Sequence, residues 1–325
     1  MINIISRQAG TPRSSGPAKV FRNLVKGLDG IRYPYVVNRS LNATKRLWIH
    51  DNLDALRCMH KSKAYKVVGP NLVVMPNELP NGIDFRDTLY LQPSQWAIEV
   101  WRNTGFDACP LLAWPVGIDT DEFAPSAKSG NGERVLVYHK QRKPEELVYI
   151  LETLHSLRIK YDLILYPLYK EAEFKEALAR ACFIIWHGCH ESQGIALQEA
   201  MACDVPVLVC DVTSLSQAHH QYTFGQEVDC IPVTAAPYFD ETCGIKITHL
   251  GALSEAVQAM RDRRCSFHPR QFVLDHLSMD GMAKALLQMW KRWGLDYEDG
   301  FSERAAFTMP FRLPLLERAS RRLLP

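Results

Sequence analysis

The fold of this chain is decided by the stretch Glu191-Ser192-Gln193-Gly194-Ile195-Ala196-Leu197-Gln198-Glu199 and by what flanks it. The apolar run Phe183-Ile184-Ile185-Trp186 precedes it and reads as a buried strand, and Ile195 through Ala202 carries a helix pattern. A turn between a parallel strand and a helix N-terminus presents backbone N–H groups and the positive end of a helix dipole. That is a natural seat for a phosphate or diphosphate. Two glutamates, Glu191 and Glu199, stand on either side of the turn. Carboxylates are hydrogen-bond acceptors suited to hydroxyl-rich groups. Diphosphate and sugar hydroxyls together describe a nucleotide sugar.

Working outward, strands alternate with amphipathic helices over most of the chain, which predicts α/β layering with mostly parallel sheets. Ile2–Ile5 reads as a first strand. A Gly/Ser-rich loop around Gly16 follows, then a helix with Val20, Phe21, Leu24, Val25 and Leu28 on one face, ended by Gly30. Further strands are expected at Tyr35–Val37, Arg46–Ile49, Lys66–Val68 and Thr88–Leu91, with a short helix over Ser94–Asn103. The polar segment Ser126–Glu133, with Gly130 and Gly132, is the best linker. A second α/β set begins after it: strand Val135–Tyr138, helix Glu145–Leu157, strand Asp162–Tyr166, helix Glu171–Ala181, strand Phe183–Trp186 and strand Val205–Cys210. Leu253–Met260 and Met282–Trp293 are late helices. The expected organisation is an N-terminal domain over 1–125, a donor domain over 133–275, and C-terminal helices with a basic tail over 276–325. In open α/β sheets ligands bind beyond the carboxyl ends of the strands, so two such halves facing each other would form a cleft.

A chain of 325 residues with 47% hydrophobic and 23% charged residues is that of a globular protein of one large or two ordinary domains. No apolar run approaches the ~20 residues that span a bilayer, and the N-terminus lacks the layout of a signal peptide. Nine cysteines without CxxC or zinc-like spacing read as reduced thiols and a cytoplasmic location. The net charge of +2 hides an asymmetry: residues 1–66 hold thirteen Lys/Arg against three Asp/Glu. An excess of ten positive charges there points to an anionic partner, with a solvated basic face as the equal alternative. Residues 301–325 hold five Arg and two Glu, with Leu315, Leu316, Ala319 and Leu323 near helical spacing. This tail either lies on an anionic membrane at the cytosolic face or packs back on its own domain.

With these residues in place, the chain resembles retaining glycosyltransferases of the GT-B fold, in particular family four. The resemblance rests on Glu191, Gly194 and Glu199, on Ala200-Met201-Ala202 and Pro206-Val207 after them, and on Pro115-Val116-Gly117-Ile118-Asp119 with Phe123 before the linker. It implies two Rossmann-like domains facing a cleft and transfer of a sugar from a nucleotide diphosphate sugar to a glycan or lipid-linked acceptor. It also implies roles. Glu191 would contact donor-sugar hydroxyls and Glu199 the ribose diol. Backbone N–H groups around Gly194, Ile195 and Ala196, with Ser192 and Gln193 in the same turn, would hold the diphosphate. Lys140 best fits the family's phosphate-binding arginine, and Arg142 or Lys143 would supply a second cation. The nucleobase would lie near Tyr166. Gly16, His190 and His50 complete the candidate set, His50 as a catalytic or sugar-contacting histidine at a strand end. Departures from the family pattern are Gly16-Pro17 for a double glycine, Asp204 for a glycine and Gln193 for an aromatic residue.

Without an acidic DxD motif, the expectation is a metal-independent enzyme with no cofactor, in which fixed cations and helix N–H groups stabilise the departing diphosphate. Each residue has a plainer reading. A glutamate pair around a helix start can be a cap and a solvent-facing side chain, Lys140, Arg142 and Lys143 a solvated turn, and His50, His187 and His190 satisfied loop or core groups. A non-catalytic nucleotide-sugar-binding or scaffold protein is the alternative. An oxidoreductase is disfavoured because residues 6–17 hold no GxGxxG turn, and nucleic-acid binding because no recognised motif supports it.

Overall fold

The structure is a computed structural model, and it describes residues 1–11, 15–126, 132–217 and 231–292. Two compact units are present: Met1–Gly117 with the described part of His276–Pro325, and Ile118–Asp275.

The first unit is a six-stranded parallel sheet in the order β2-β1-β3-β4-β5-β6. Its strands are β1 (Ile2–Ser6), β2 (Tyr35–Val37), β3 (Arg46–His50), β4 (Tyr65–Val68), β5 (Thr88–Gln92) and β6 (Leu111–Ala113). Every residue of β1, β3, β5 and β6 is buried, as expected when helices cover both faces of a parallel sheet. Helix α1 (Gly16–Gly30) starts where Ser15 caps it, its Oγ accepting from Ala18 N, with Pro17 in the first turn. Helices α2 (Leu53–Cys58) and α3 (Gln95–Asn103) follow β3 and β5.

The second unit is a five-stranded parallel sheet in the order β11-β10-β9-β7-β8. It contains β7 (Arg134–Lys140), α4 (Pro144–Ser156), β8 (Tyr161–Leu165), α5 (Glu171–Arg180), β9 (Ala181–Gly188), α6 (Ile195–Ala202), β10 (Val207–Cys210), β11 (Gly244–Ile247), α7 (Leu253–Arg263) and α8 (Pro269–His276). Its core packs Val135, Val137, Ile185 and Leu208 of the sheet against Ile150 and Leu154 of α4 and Val257 and Met260 of α7.

Helix α9 (Met279–Arg292) belongs to the first unit, although it comes last in the described sequence. A Cβ added at Gly27 would lie 2.5 Å from Met279 O, and one at Gly117 2.3 Å from Met279 Cα, so both glycines are required for the approach of α9. The indole N–H of Trp114, fully buried, donates to Met282 O at 3.0 Å. A buried Trp withdraws roughly 150–250 Å² from water, about 4–6 kcal/mol gross at ~25 cal/mol/Å².

Several details differ from the sequence expectations, which held no β6, α2 or α8. Residues 118–126 cluster with the second unit. The reason is local: Lys175 Nζ lies 4.5 Å over the Phe123 ring and pairs with Glu122 at 2.9 Å, while Arg270 Nη1 donates to Thr120 O and Phe123 O. Strand β9 runs to Gly188, two residues beyond the apolar run. Strand β11 was not expected; it is a short edge strand with only Gly244 fully buried, so it shows little hydrophobic pattern. The middle of the expected linker and the basic tail lie outside the described residues. Among the described residues, no helix is long and apolar enough to cross a membrane.

Candidate functional site

In the second unit the chain passes from β7 to β8 on one side, then returns to place β9 on the other. The carboxyl ends of β7 and β9 therefore form a topological switch point, where open α/β sheets bind ligands. Lys140 ends β7 and Gly188 ends β9, and the two are register partners. The loop after Gly188 brings Glu191 back toward Lys140.

Lys140 Nζ donates to Glu191 Oε1 at 2.8 Å, and the two side chains are 18% and 10% exposed. The ammonium also stands 4.8 Å over the ring of Tyr166, the residue after β8. Burial works against the charge of Lys140, but the Glu191 carboxylate, with Cys189 and Tyr166, more than reverses this, and its pKa is raised. The lysine is thus a fixed cation at neutral pH. Tyr166 is 44% exposed, so one face of an aromatic ring is presented beside that cation.

The turn after Glu191 is built by backbone and amide bonds. Glu191 N donates to Thr234 O at 3.0 Å. Gln193 Nε2 donates to Gln198 Oε1 at 2.9 Å, and Gln198 Nε2 returns a bond to Gln193 O at 2.8 Å, both residues being buried. Gly194 sits at φ +81° as the residue before α6. A Cβ there would meet nothing closer than 3.6 Å, so the requirement for glycine is conformational and not one of space. Among the described residues no side chain caps α6, and Ile195 and Ala196 in its first turn are half-buried while Ser192 is exposed. Glu199, one turn further on, is only 3% exposed. Burial and the nearby Glu199 charge push the Cys203 thiol up to about 11. His190 is half-buried in the same loop, and its carbonyl accepts from Cys189 Sγ at 3.4 Å.

The other two cations expected near a diphosphate are placed differently. Arg142 is 5% exposed, with Nε donating to Glu146 Oε2 at 2.9 Å and Nη1 to Gly188 O and Cys210 O, each at 3.2 Å. It ties the ends of β9 and β10 to the first turn of α4. Lys143 is exposed and precedes α4. Of the three cations, Lys140 is the one the structure brings to Glu191.

Under the turn runs a chain of titratable groups. Glu146 Oε2 accepts from His187 Nε2 at 3.1 Å, and His187 Nδ1 faces His139 Nδ1 at 3.0 Å. Burial of Glu146 opposes its charge, but donation from His187 and Arg142 prevails and holds the carboxyl down at about 2. Burial, then repulsion from His187 and Arg142, lowers His139 to about 4; burial also lowers His187. At neutral pH both rings are neutral and the tautomers follow. The Glu146 carboxylate only accepts, so His187 carries its proton on Nε2. Its Nδ1 is then an acceptor, and His139 carries its proton on Nδ1.

Gly16 and His50 belong to the first unit. Gly16 opens α1, exposed, with nothing within 4 Å of the place its Cβ would take. His50 ends β3, fully buried, with Nδ1 3.2 Å from Ser6 Oγ, Nε2 3.4 Å from Asn71 Oδ1, and its ring stacked on Trp48 at 4.9 Å. Protein groups occupy both ring nitrogens and one face, which is the geometry of a satisfied interior histidine. Burial lowers its pKa to about 4.

Sequence reasoning missed Asp211. It follows β10, accepts from Thr234 Oγ1 at 2.8 Å, from Val212 N at 2.9 Å and from Ala235 N at 2.6 Å, and pairs with Lys246 at 3.2 Å. Asp211 thereby holds the segment whose Thr234 carbonyl anchors Glu191. Its one sequence signal is an acid directly after a buried strand. The His139–His187 pair also escaped notice. Its signal was two histidines at matching ends of adjacent strands, and they are register partners.

No protein-family model matches the chain, and no curated protein matches it. Solved structures do. Sucrose-phosphate synthase from Thermosynechococcus elongatus is 13% identical, with 90% of this chain and 98% of that one covered at a TM-score of 0.53. Anabaena HepE in complex with UDP and glucose is 11% identical, with 90% and 99% covered at 0.53. The lipopolysaccharide outer core galactosyltransferase WaaB is 10% identical, with 88% and 98% covered at 0.52. At these identities the likeness is one of fold: an α/β chain of two Rossmann-like domains.

Proposed function

We propose that this chain is a retaining glycosyltransferase, moving a sugar from a nucleotide diphosphate sugar to an acceptor hydroxyl in polysaccharide, glycolipid or other glycoconjugate synthesis. The observation that carries the reading is the Lys140–Glu191 pair beside the uncapped N-terminus of α6, at the switch point of the second sheet. The N–H groups of Ile195 and Ala196 and the Lys140 ammonium receive the diphosphate. Glu199, buried in α6, takes the ribose diol. Glu191, held toward Lys140, takes hydroxyls of the transferred sugar, and the exposed ring of Tyr166 lies near the base. HepE, a neighbour in fold, holds UDP and glucose, the ligand class that this chemistry suits.

As the glycosidic bond breaks, negative charge grows on the leaving diphosphate. A preorganised cation and helix N–H groups stabilise that charge without reorganising; removal of one such donor in enzymes of this kind of electrostatic design costs about 10²–10³ in rate. Lys140 is suited to this because its raised pKa keeps it charged. Glu191 and Glu199 act as hydroxyl acceptors on the donor, so the two-carboxylate scheme of glycosidases is not invoked. The described cysteines are free thiols, which fits a cytoplasmic place of action. A thermal-shift screen with UDP, GDP, ADP, CMP and their sugar conjugates tests the proposal, with NAD as control. A rise with one nucleoside diphosphate, larger with one sugar conjugate, is expected; a rise with NAD alone, or none at all, overturns it.

A further inference from the structure

Helix α6 buries one amide among apolar side chains. Leu197, Ala200, Met201 and Ala202 of the helix are buried, and so is Gln198, at 0% exposure. A buried amide is costly unless both of its ends are bonded. Both ends of Gln198 are bonded, and to a single residue. Its Oε1 accepts from Gln193 Nε2 at 2.9 Å, and its Nε2 donates to Gln193 O at 2.8 Å. An apolar residue in its place would fill the same space and take these two partners from Gln193, itself only 4% exposed. The pair secures a backbone geometry as well as packing.

That geometry is the orientation of the peptide between Gln193 and Gly194. It is trans, so its C=O and N–H point to opposite sides. The carbonyl is drawn inward to Gln198, and the Gly194 N–H is thereby turned outward. Gly194 has left-handed angles, φ 81° and ψ 46°, and Ile195 after it is the first residue of right-handed α6. Consecutive residues of opposite hand form a concave nest in which successive N–H groups converge on one anion. Here the converging groups are those of Gly194, Ile195 and Ala196. The Gly194 carbonyl accepts from Gln198 N at 3.0 Å, and among the described residues nothing accepts from Gly194 N. Gln198 thus grips the turn twice, by its side chain at Gln193 O and by its backbone at Gly194 O.

We propose that Gln198 is a positioning residue for the diphosphate. By holding the Gln193 carbonyl inward it presets the Gly194 N–H as a third backbone donor beside those of Ile195 and Ala196. A donor fixed in this way needs no reorganisation when charge grows on the leaving group. The inference deepens the glycosyltransferase reading and rests on its diphosphate site.

The test uses the full chain. Inorganic pyrophosphate is titrated by calorimetry, and the backbone amide of Gly194 is followed by NMR in the same titration. In wild type the Gly194 N–H signal should move downfield as pyrophosphate binds. Gln198→Met should weaken binding about tenfold or more, the worth of one hydrogen bond to a charged group, and abolish that movement. Gln193→Met keeps the carbonyl bond to Gln198 and should lose less. Wild-type binding with an unmoved Gly194 signal overturns the proposal without any variant. Equal affinity in wild type and Gln198→Met overturns it as well. Equal losses in Gln193→Met and Gln198→Met would assign the effect to the side-chain pair and overturn the role given to the Gln193 carbonyl. No binding of pyrophosphate by wild type overturns the diphosphate site itself, and this inference with it.

Discussion

Lys140 and Glu191 form an ion pair of 2.8 Å that joins the end of β7 to the loop after β9, and neither side chain is more than 18% exposed. Because each shields the other from an uncompensated charge, removing one should hurt more than removing both. Lys140→Met should destabilise by about 3 kcal/mol and lower nucleotide diphosphate affinity at least tenfold. The double variant Lys140→Met/Glu191→Leu should recover stability without recovering affinity. Urea denaturation with calorimetry of the same proteins checks both.

Arg142 holds Gly188 O, Cys210 O and Glu146 at once, from a position 5% exposed. Arg142→Lys cannot reproduce a planar fork with three partners and should cost about 2 kcal/mol or more. Since Arg142 positions the loop bearing Glu191, the variant should raise KM for the donor more than it lowers kcat. A fall in kcat at unchanged KM would instead indicate a direct role at the diphosphate.

The Glu146–His187–His139 chain fixes its own protons. Nitrogen NMR of the imidazoles should find His187 protonated on Nε2 and His139 on Nδ1 at neutral pH. Glu146 Oε2 also accepts from Arg142 Nε, so Glu146→Leu, which removes that acceptor, should abolish the preference for the Nε2 proton on His187. The same tautomers in wild type and Glu146→Leu would show that Glu146 does not direct them.

His50 gives a pH prediction. Its folded pKa, lowered to about 4 by burial, lies below the unfolded value near ~6.5. The unfolded chain then binds the proton first as pH falls, so stability is lost between about 6.5 and 4 and is level below that. The full effect is ~3 kcal/mol at most. Glu146, held down at about 2, adds a loss at lower pH, from about 4.5 downward. His50→Gln keeps hydrogen-bonding groups and should flatten the first part of the curve; an unchanged slope there would assign it to His139 and His187.

Most strands, β6 and β11 excepted, and the turn of the second unit were legible because they are local patterns: apolar runs of strand length, helix periodicity and a glycine between. The Lys140–Glu191 contact was partly legible, since both residues follow strands that become neighbours. What could not be read was set by long-range pairing. Thr234 and Asp211 are 23 residues apart and meet through side-chain and backbone bonds; no period in the sequence relates them. Arg142 looked interchangeable with Lys143 as a second cation, and only its bonds to the carbonyls at the ends of β9 and β10 distinguish it. His50 looked like a strand-end histidine open to a ligand. Its burial depends on Ser6, at the end of β1, and Asn71, in the loop after β4.

The central claim is that a nucleotide diphosphate binds between Lys140, the N-terminus of α6 and Glu199. Calorimetry of the preferred nucleoside diphosphate and its 2′-deoxy analogue against wild type and Glu199→Ala tests it most directly. The account predicts tight binding of the ribonucleotide to wild type, about tenfold or greater loss in Glu199→Ala, and a similar loss for the 2′-deoxy analogue with wild type but little further loss with the variant. Equal ribonucleotide affinity in the two proteins, or no binding by wild type, would contradict it.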